Sequence, residues 1–564
     1  MAAFLAAGIS QARVNLWQSE SILTQAQASG RYLQTQVERA KRGSILSADG
    51  RVLAKDDESA VLNVGFRDVP QSPAFFNDLG RAAGLSGAEL LQLAERGQTR
   101  RVWRQTLSVS RVAAIQQVKT DWRANGVSLD RTGRRTYELG EAGGSVVGMF
   151  RGQTGLYGLE RSFDSKLRGR DGKTIGLVDR MGTFLPMRLD SETQSKQDGK
   201  NLVLTLDSEL QAIATEAVRR SVEQNKAENG VAVVMDPATG DIMAMANWPT
   251  IDPNLADSEG RSSKVQTDFN PNFMARWEPG STFKILSLAK AVDEGKFSMG
   301  STLYCSGKLA IGRKAIHCDD HGGGARAHQT IGPVDAIAKS CNVSAATWAM
   351  RVGQTKFRKY LDDLGLLKKT ELGLPNEKPG LFNDEEYNKP LQLANVGFGQ
   401  SLNTTPVALC GAFAMIANQG VRQEPRLVKQ IGRESVSLRP GRRIVSKMTA
   451  EAVMRAMEAT IESDGGTGRK LRIPGYSLGG KTGTAQKTNA NTGRIEGGGY
   501  ISNFVGFVPA HQPKAVVLVM VNDPKAGKFY GSEVAGPVFL DIARAVIRRL
   551  QIPPTDAIEG VRQE

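Results

Sequence analysis

Three short motifs, far apart in a chain of 564 residues, set the strongest condition on its fold. Ser281-Thr282-Phe283-Lys284 puts a hydroxyl three residues before an amine, just after Pro279-Gly280. Ser340-Cys341-Asn342 and Lys481-Thr482-Gly483-Thr484 follow in that order. If a helix opens near Gly280, positions i and i+3 share a face. The neutral amine of Lys284 can then take the Ser281 proton. The helix N-terminus adds unpaired N–H groups and positive potential, which favour developing negative charge. Alone, the first motif fits an N-cap and a solvated lysine equally well, so its chemistry depends on the fold delivering the other two to the same cleft.

Each of those two also has a plain structural reading. Ser340 or Asn342 could cap the helix that Val343, Ala345 and Ala346 continue; in a cleft, the serine could relay a proton and the asparagine hold a carbonyl. Lys481 follows Gly479-Gly480, glycines that suit a strand lying close to a ligand. Lys481, Thr482, Gly483 and Thr484 would hold a carboxylate, and the Thr484 N–H could join that of Ser281 as an oxyanion hole. Gly475 to Thr482 also matches a phosphate-binding loop. That reading needs a buried strand before it and a helix after it. Arg472 and Pro474 interrupt the first, and the Asn- and Gly-rich stretch from Asn489 to Gly499 is poor helix material. Gly465-Gly466-Thr467-Gly468, without a strand–turn–helix frame, reads as a loop beside the cleft.

The net charge is +15, which suits anionic partners such as lipid or an acidic polymer; no aromatic-rich basic motif or zinc-finger spacing points to nucleic acid. Of 4 cysteines, Cys341 and Cys410 sit in apolar sequence and read as buried, inert thiols. Cys305 and Cys318 lie in a loop-like stretch with His317, His321 and His328. A Cys305–Cys318 disulfide, a zinc held by both cysteines and one or two histidines, and unlinked residues all remain open. Met1 to Ile9 is apolar but too short to span a membrane, and reads as the end of a span.

Residues 1–30 are expected to be a truncated anchor and juxtamembrane helix, with helical or stalk character running from Val14 to Arg42. Residues 31–199 form a non-catalytic module, opened by a hairpin at Asp49-Gly50. A catalytic domain occupies 200–552 and a tail 553–564. In the catalytic domain, Leu202–Leu206 reads as a strand, Asp207 as the cap of a helix to about Gln224, and the stretches flanking Asp236–Asp241 as a hairpin. Strands follow at Asn503–Val508 and Ala515–Val521, then a helix from Pro537 to Leu550. Strands, helices, then strands again predict an α+β fold with a mainly antiparallel sheet flanked by helices.

The three motifs, with Arg42-Gly43-x-Ile45, Gly158-Leu159-Glu160, Gly399-Gln400, Asn403-Thr404-Thr405-Pro406 and Val534-Ala535-Gly536-Pro537, resemble the class B penicillin-binding proteins, the peptidoglycan D,D-transpeptidases. Gly465–Gly468 with Gly475-Tyr476 and Lys481–Ala485, and Tyr530-Gly531 with Val534–Phe539, are most similar to the septal branch; the elongation branch is the alternative. The resemblance implies a β-lactamase-like transpeptidase domain on an extended pedestal. It also implies the following roles: Ser281 as the acylated nucleophile, Lys284 as its base, Ser340 and Asn342 lining the cleft, and Lys481, Thr482, Gly483 and Thr484 holding substrate. It further implies stem-peptide substrates ending in D-Ala-D-Ala, β-lactams as mimics, no cofactor and no metal among the site residues. The expected partners are a SEDS-type glycan polymerase and divisome membrane proteins. The expected location is the inner membrane, by a single span, with the catalytic domain on the periplasmic side. Where the family has Asp-Arg, this chain has Ser47-Ala48. A β-lactamase, a carboxypeptidase or a β-lactam sensor would share the same motifs.

Overall fold

The run Ala515–Asn522 is buried along its whole length, as expected of a β-branched strand covered on both faces, and the sheet that carries the site is built around it. In the computed structural model, Asn229–Met235 (β1), Ile242–Trp248 (β2), Gly479–Thr488 (β3), Ile495–Val508 (β4) and Ala515–Asn522 (β5) pair in the order β2-β1-β5-β4-β3. Every pairing is antiparallel. The structure describes residues 33–555 apart from 58–59, 104–106, 132–133, 153, 179–183, 187–193, 256–268, 319–325, 385–388 and 489–494.

The helices around the sheet are Ser208–Gln224 (α1), Lys284–Asp293 (α2), Asn342–Val352 (α3), Pro406–Ala417 (α4), Lys447–Glu462 (α5) and Gly536–Arg549 (α6). Asp207 caps α1, its carboxylate accepting from the N–H groups of Glu209 and Leu210, as its position in the sequence predicts. Leu210, Ala214 and Val218 of α1 and Phe539, Ile542 and Val546 of α6 share one core with Val517, Val519 and Val521. The uniformly apolar α4 is buried throughout and packs on β1 and β5. The β1–β2 turn is closed by Asp236, whose Oδ1 accepts from Ala238 N (2.8 Å), and by Gly240 at φ 76°.

By compactness the chain divides in two. One unit holds the described residues up to Ser44 with Ser165–Asn201. In it Leu33–Glu38 is a strand, antiparallel to Gly172–Val178, so the helical character expected as far as Arg42 does not hold there. Val37 there stands opposite Lys173 in the ladder, tertiary pairing overriding local propensity.

The second unit is Ile45–Asp164 with the chain from Leu202 onward. Its front part carries a separate core in which Phe66, Phe75, Phe76, Leu79 and Ile115 pack beneath a small sheet. The predicted hairpin is present, with Gly50 at φ 81° between Ile45–Leu46 and Val52–Asp57. Ile45–Leu46 pairs in parallel with Leu202–Leu204. At Ser47-Ala48 the serine hydroxyl donates to Arg51 O (3.1 Å) and Ala48 N to Leu206 O (2.7 Å). Asp49 accepts from Ser208 N (3.2 Å) and Ser208 Oγ (2.8 Å), and Arg549 lies 3.5 Å from the same carboxylate.

Phe539 fills the space left by a glycine. Its ring lies 4.6 Å from that of Phe504, and a Cβ on Gly506 would come within 2.2 Å of it. Phe539→Ala is expected to cost about 3–5 kcal/mol. Gly506→Ala alone should also destabilise, by steric conflict, whereas the double variant should lose less than the sum because the new methyl enters the vacated space. Denaturant unfolding of the four proteins measures this coupling; strict additivity would mean that the two side chains do not meet.

Candidate active site

The serine turn is held in place before any catalytic group is considered. Gly280–Phe283 is one 3-10 turn running into α2. Gly280 sits at φ 55°, a left-handed conformation that glycine adopts without strain. A Cβ there would lie 3.1 Å from the Ala485 Cβ, so the turn rests against β3 one residue past Thr484. Asn503, on β4, donates from Nδ2 to the Pro279 carbonyl (3.0 Å), and Thr282 Oγ1 donates to the same oxygen (2.8 Å).

On its other side the turn is bound to the segment after Gly397. Gly280 N donates to Gly399 O (2.9 Å), and Trp277 and Thr404 exchange two backbone bonds of 3.0 Å. The Glu278 carboxylate accepts from Ser401 N (2.9 Å), and Ser287 Oγ donates to Gly397 O (2.6 Å).

Lys284 opens α2 and is 1% exposed. Its Nζ donates to Ser340 O (2.6 Å) and to Ser340 Oγ (3.0 Å). The fold thus brings the first two motifs into direct contact. Ser340 stands at φ 58°, a sparsely populated conformation for a serine, which turns both of its oxygens to the lysine. The cap of α3 is neither Ser340 nor Asn342 but Cys341, whose sulfur accepts from Ser344 N. Asn342 Nδ2 donates to His317 O (2.8 Å).

Lys481 is fully buried on β3. Its Nζ donates to Thr482 O (2.9 Å) and reaches Thr482 Oγ1 at 3.4 Å. The ammonium is held well below the usual lysine range, first by burial and then by the Lys284 charge. Thr482 Oγ1 donates to Thr467 Oγ1 (3.0 Å), which brings the Gly465–Gly468 loop to the rim. Lys481 lies within a strand that continues to Thr488, so no phosphate-binding strand–loop–helix exists there. Gly483 must be glycine, because a Cβ would meet Asn503 Oδ1 at 1.7 Å. Thr484 Oγ1 accepts from Gly531 N (3.2 Å), which connects Tyr530-Gly531 to the same wall.

The four cysteines are free thiols, and the Cys305 and Cys318 sulfurs lie 3.7 Å apart, with no bond between them. Cys341 is buried as expected, yet it is not an isolated apolar thiol: its sulfur lies 3.6 Å from that of Cys318. Cys410 is buried separately, beneath the sheet near Val233 O and Val516 O. His321 lies outside the described residues.

Two positioning residues carry no sequence motif. Asn503 is a lone amide in an apolar strand, and Glu278 is a carboxylate beside an apolar turn. A polar residue in a run otherwise destined for burial is the signal that marks each of them.

Residues 230–544 match the penicillin binding protein transpeptidase domain, and residues 37–204 the penicillin-binding protein dimerisation domain. The chain is 30% identical over 537 residues to the probable peptidoglycan D,D-transpeptidase PenA of Neisseria gonorrhoeae, spanning 94% of this chain and 88% of that one. It is 31% identical over 443 residues to the peptidoglycan D,D-transpeptidase FtsI of Escherichia coli K12, 78% of this chain and 71% of the relative. Among solved structures, penicillin binding protein 3 of Mycobacterium tuberculosis with aztreonam superposes with a TM-score of 0.69 at 27% identity, over 92% of this chain and 98% of that one. Penicillin binding protein 2X of Streptococcus thermophilus shares the fold at a TM-score of 0.77 and 23% identity, over 92% of this chain and 80% of that one. With a dimerisation domain ahead of a transpeptidase domain, this chain belongs to the class B penicillin-binding proteins.

Proposed function

We propose that Ser281 is the nucleophile of a peptidoglycan D,D-transpeptidase and that Lys284 is its base. The observation that carries this is the buried Lys284 amine, one helical turn after Ser281 and bonded to both oxygens of Ser340. Ser281 attacks the carbonyl of the D-Ala-D-Ala bond, its proton passes to Lys284 once that amine is in its neutral form, and Ser340 Oγ relays a proton toward the departing amine of D-alanine. A neighbouring stem-peptide amine then attacks the acyl-serine, and Ser281 is regenerated. The free energy of the old peptide bond is conserved in the ester, so no nucleotide is required.

The oxyanion is held by the N–H groups of Ser281 and Thr484. The contact of Gly280 with Ala485 supports that pairing, and one such donor is typically worth about 3 kcal/mol to a tetrahedral intermediate. Thr482 and Lys481 receive the terminal carboxylate of the donor, with Gly483 leaving room for the Asn503 side chain beside them, while Asn342 lines the opposite wall. The low proton affinity of Lys481 fits this task. With the site empty, a second buried ammonium beside Lys284 is unfavourable, and an arriving carboxylate supplies the counter-charge that restores it. β-Lactams enter as donor mimics and leave Ser281 acylated.

Septal rather than elongation use is the reading favoured by Gly465–Gly468 and Tyr530-Gly531. Residues 31–199 then act as the pedestal that engages a SEDS-type glycan polymerase and divisome membrane proteins. The catalytic domain, 200–552, faces the outer side of the inner membrane, and residues 1–30 lead to the anchor. Among the described residues no helix is long and apolar enough to cross a membrane.

Glu278 gives the turn a pH dependence. Burial pushes its carboxyl up to about 7 from an ordinary 4.5, against the downward pull of the Ser401 N–H. Between those values the folded chain binds more protons at this site than the unfolded chain, so this contribution to stability falls as pH rises through that window.

Three outcomes are expected. Labelled penicillin should form a long-lived adduct that mass spectrometry locates on Ser281 and that Ser281→Ala abolishes, while Lys284→Ala should slow acylation by about 10²–10⁴-fold; an adduct elsewhere, or rapid turnover of the drug, would sink the assignment. In Ser281→Ala, calorimetry of penicillin binding in buffers of different ionisation enthalpy should show proton uptake, and uptake should vanish in Ser281→Ala/Lys481→Met. Glu278→Gln should flatten the decline in melting temperature from pH 5 to 7 and add on the order of 2 kcal/mol above it; an unchanged pH profile would remove Glu278 from the account.

A further inference from the structure

Cys305, Cys318, His328 and Cys341 converge on one buried point. Their ligand atoms all lie within 4.8 Å of one another. The Cys305 and Cys318 sulfurs are 3.7 Å apart, those of Cys318 and Cys341 3.6 Å, and Cys305 Sγ is 3.5 Å from His328 Nδ1. These spacings have a simple interpretation. With Zn–S of about 2.3 Å and Zn–N of about 2.0–2.1 Å, a tetrahedral ion has S···S edges of about 3.8 Å and an S···N edge of about 3.5 Å.

We propose that these four side chains bind a single Zn²⁺ in a closed Cys₃His site that fixes the Ser340–Asn342 segment. Cys341 is the ligand that the sequence does not announce, since it lies within the second catalytic motif and caps α3. The soft donor set favours zinc over magnesium or calcium. The site supplies one histidine and three cysteines around space for one ion, which does not suit a four-cysteine iron–sulfur cluster.

The surroundings suit thiolates. Val343 N donates to Cys318 Sγ and Ser344 N to Cys341 Sγ, each at 3.4 Å, so the first turn of α3 offsets the negative charge that three thiolates leave around a divalent cation. His328 Nε2 is buried with no hydrogen-bond partner among the described residues; a neutral imidazole ligating through Nδ1 keeps its proton there. On binding, the three thiol protons leave to solvent, and no oxidant or reductant is involved.

The consequence for the cleft is positional. Ser340, which accepts from Lys284, precedes Cys341, and Asn342 follows it. The carbonyl that holds Asn342 belongs to His317, the neighbour of Cys318. Both flanks of the motif are therefore tied to ligands of the same ion. Four protein ligands leave no open position, so the ion orders the chain and does not touch substrate.

The test begins with metal content and does not depend on activity. The full chain, purified without chelator, should carry about one Zn²⁺ by plasma mass spectrometry. Cys305→Ser and Cys341→Ser should lose it at least tenfold, while Cys410→Ser should keep it. Replacement by Co²⁺ should give thiolate-to-metal absorption that Cys318→Ser abolishes. Where a serine variant fails to fold, His328→Cys, which completes four thiolates, should retain the ion. Stripping the wild-type protein with a chelator should lower its melting temperature, and added Zn²⁺ should restore it. Zinc-free protein whose melting ignores Zn²⁺, or an intact mass showing a disulfide among these cysteines, would overturn the site. The positional role rests on the acylation reading: penicillin acylation should fall at least tenfold on stripping and recover with Zn²⁺. Zinc bound one to one with acylation unaffected by its removal overturns that role alone, and absence of acylation in the loaded protein overturns the functional reading, with the zinc count standing.

Discussion

Two lysines buried side by side in one cleft are the constraint around which this site is organised. Lys284 and Lys481 are 1% and 0% exposed, and burial of two like charges is costly unless each finds acceptors or sheds its proton. The fold supplies acceptors from different parts of the chain: Ser340 for one, and the backbone and hydroxyl of Thr482 for the other. That arrangement ties the start of helix α2 to the segment before α3, while Lys481 is satisfied within strand β3 itself. It also lowers the proton affinity of Lys481, first through burial and then through the Lys284 charge.

The scaffold follows from the same requirement. A nucleophile is useful only if its turn does not drift relative to the strand that stabilises the oxyanion. Here the turn is pinned by contacts that lie outside the Ser281–Lys284 pair. The Asn503 amide reaches Pro279, Gly280 has no side chain to separate it from Ala485, and Glu278 holds Ser401. Glu278 shows the compromise involved: its carboxyl is buried, which disfavours the charged form and raises its proton affinity, so that one backbone N–H is matched with an acceptor at the edge of the serine turn.

Much of this was legible in the sequence. Asp207 as a cap, the Asp236–Asp241 turn, the apolar run Ala515–Val521 and the three catalytic motifs are local patterns whose physics is contained in a few residues. The glycines before Lys481 were readable as close-approach positions, although what approaches, the Phe504 ring over Gly480, was not. What escaped were features that exist only after distant segments meet. Leu33–Glu38 became a strand because Gly172–Val178 lies alongside. Cys341 looked like an apolar thiol because its partners Cys318 and His328 lie well before it in the chain, with no conventional zinc spacing. The pairing of Ser340 with Lys284 was inferred from motif order, but the left-handed backbone at Ser340 that makes it possible is a tertiary property.

The strained backbone at Ser340 and the cysteine cluster next to it bear on each other. A serine at φ 58° costs on the order of 1 kcal/mol and persists only where its surroundings over-determine it. Lys284 supplies one restraint, by bonding both of its oxygens. The next residue supplies another, because the Cys341 sulfur is buried against Cys318 and caps α3. Rotating Ser340 into an ordinary conformation would pull Cys341 out of that packing or withdraw the carbonyl from the lysine. The conformation that presents Ser340 to Lys284 is therefore held from both ends, by a buried amine on one side and by a sulfur cluster on the other.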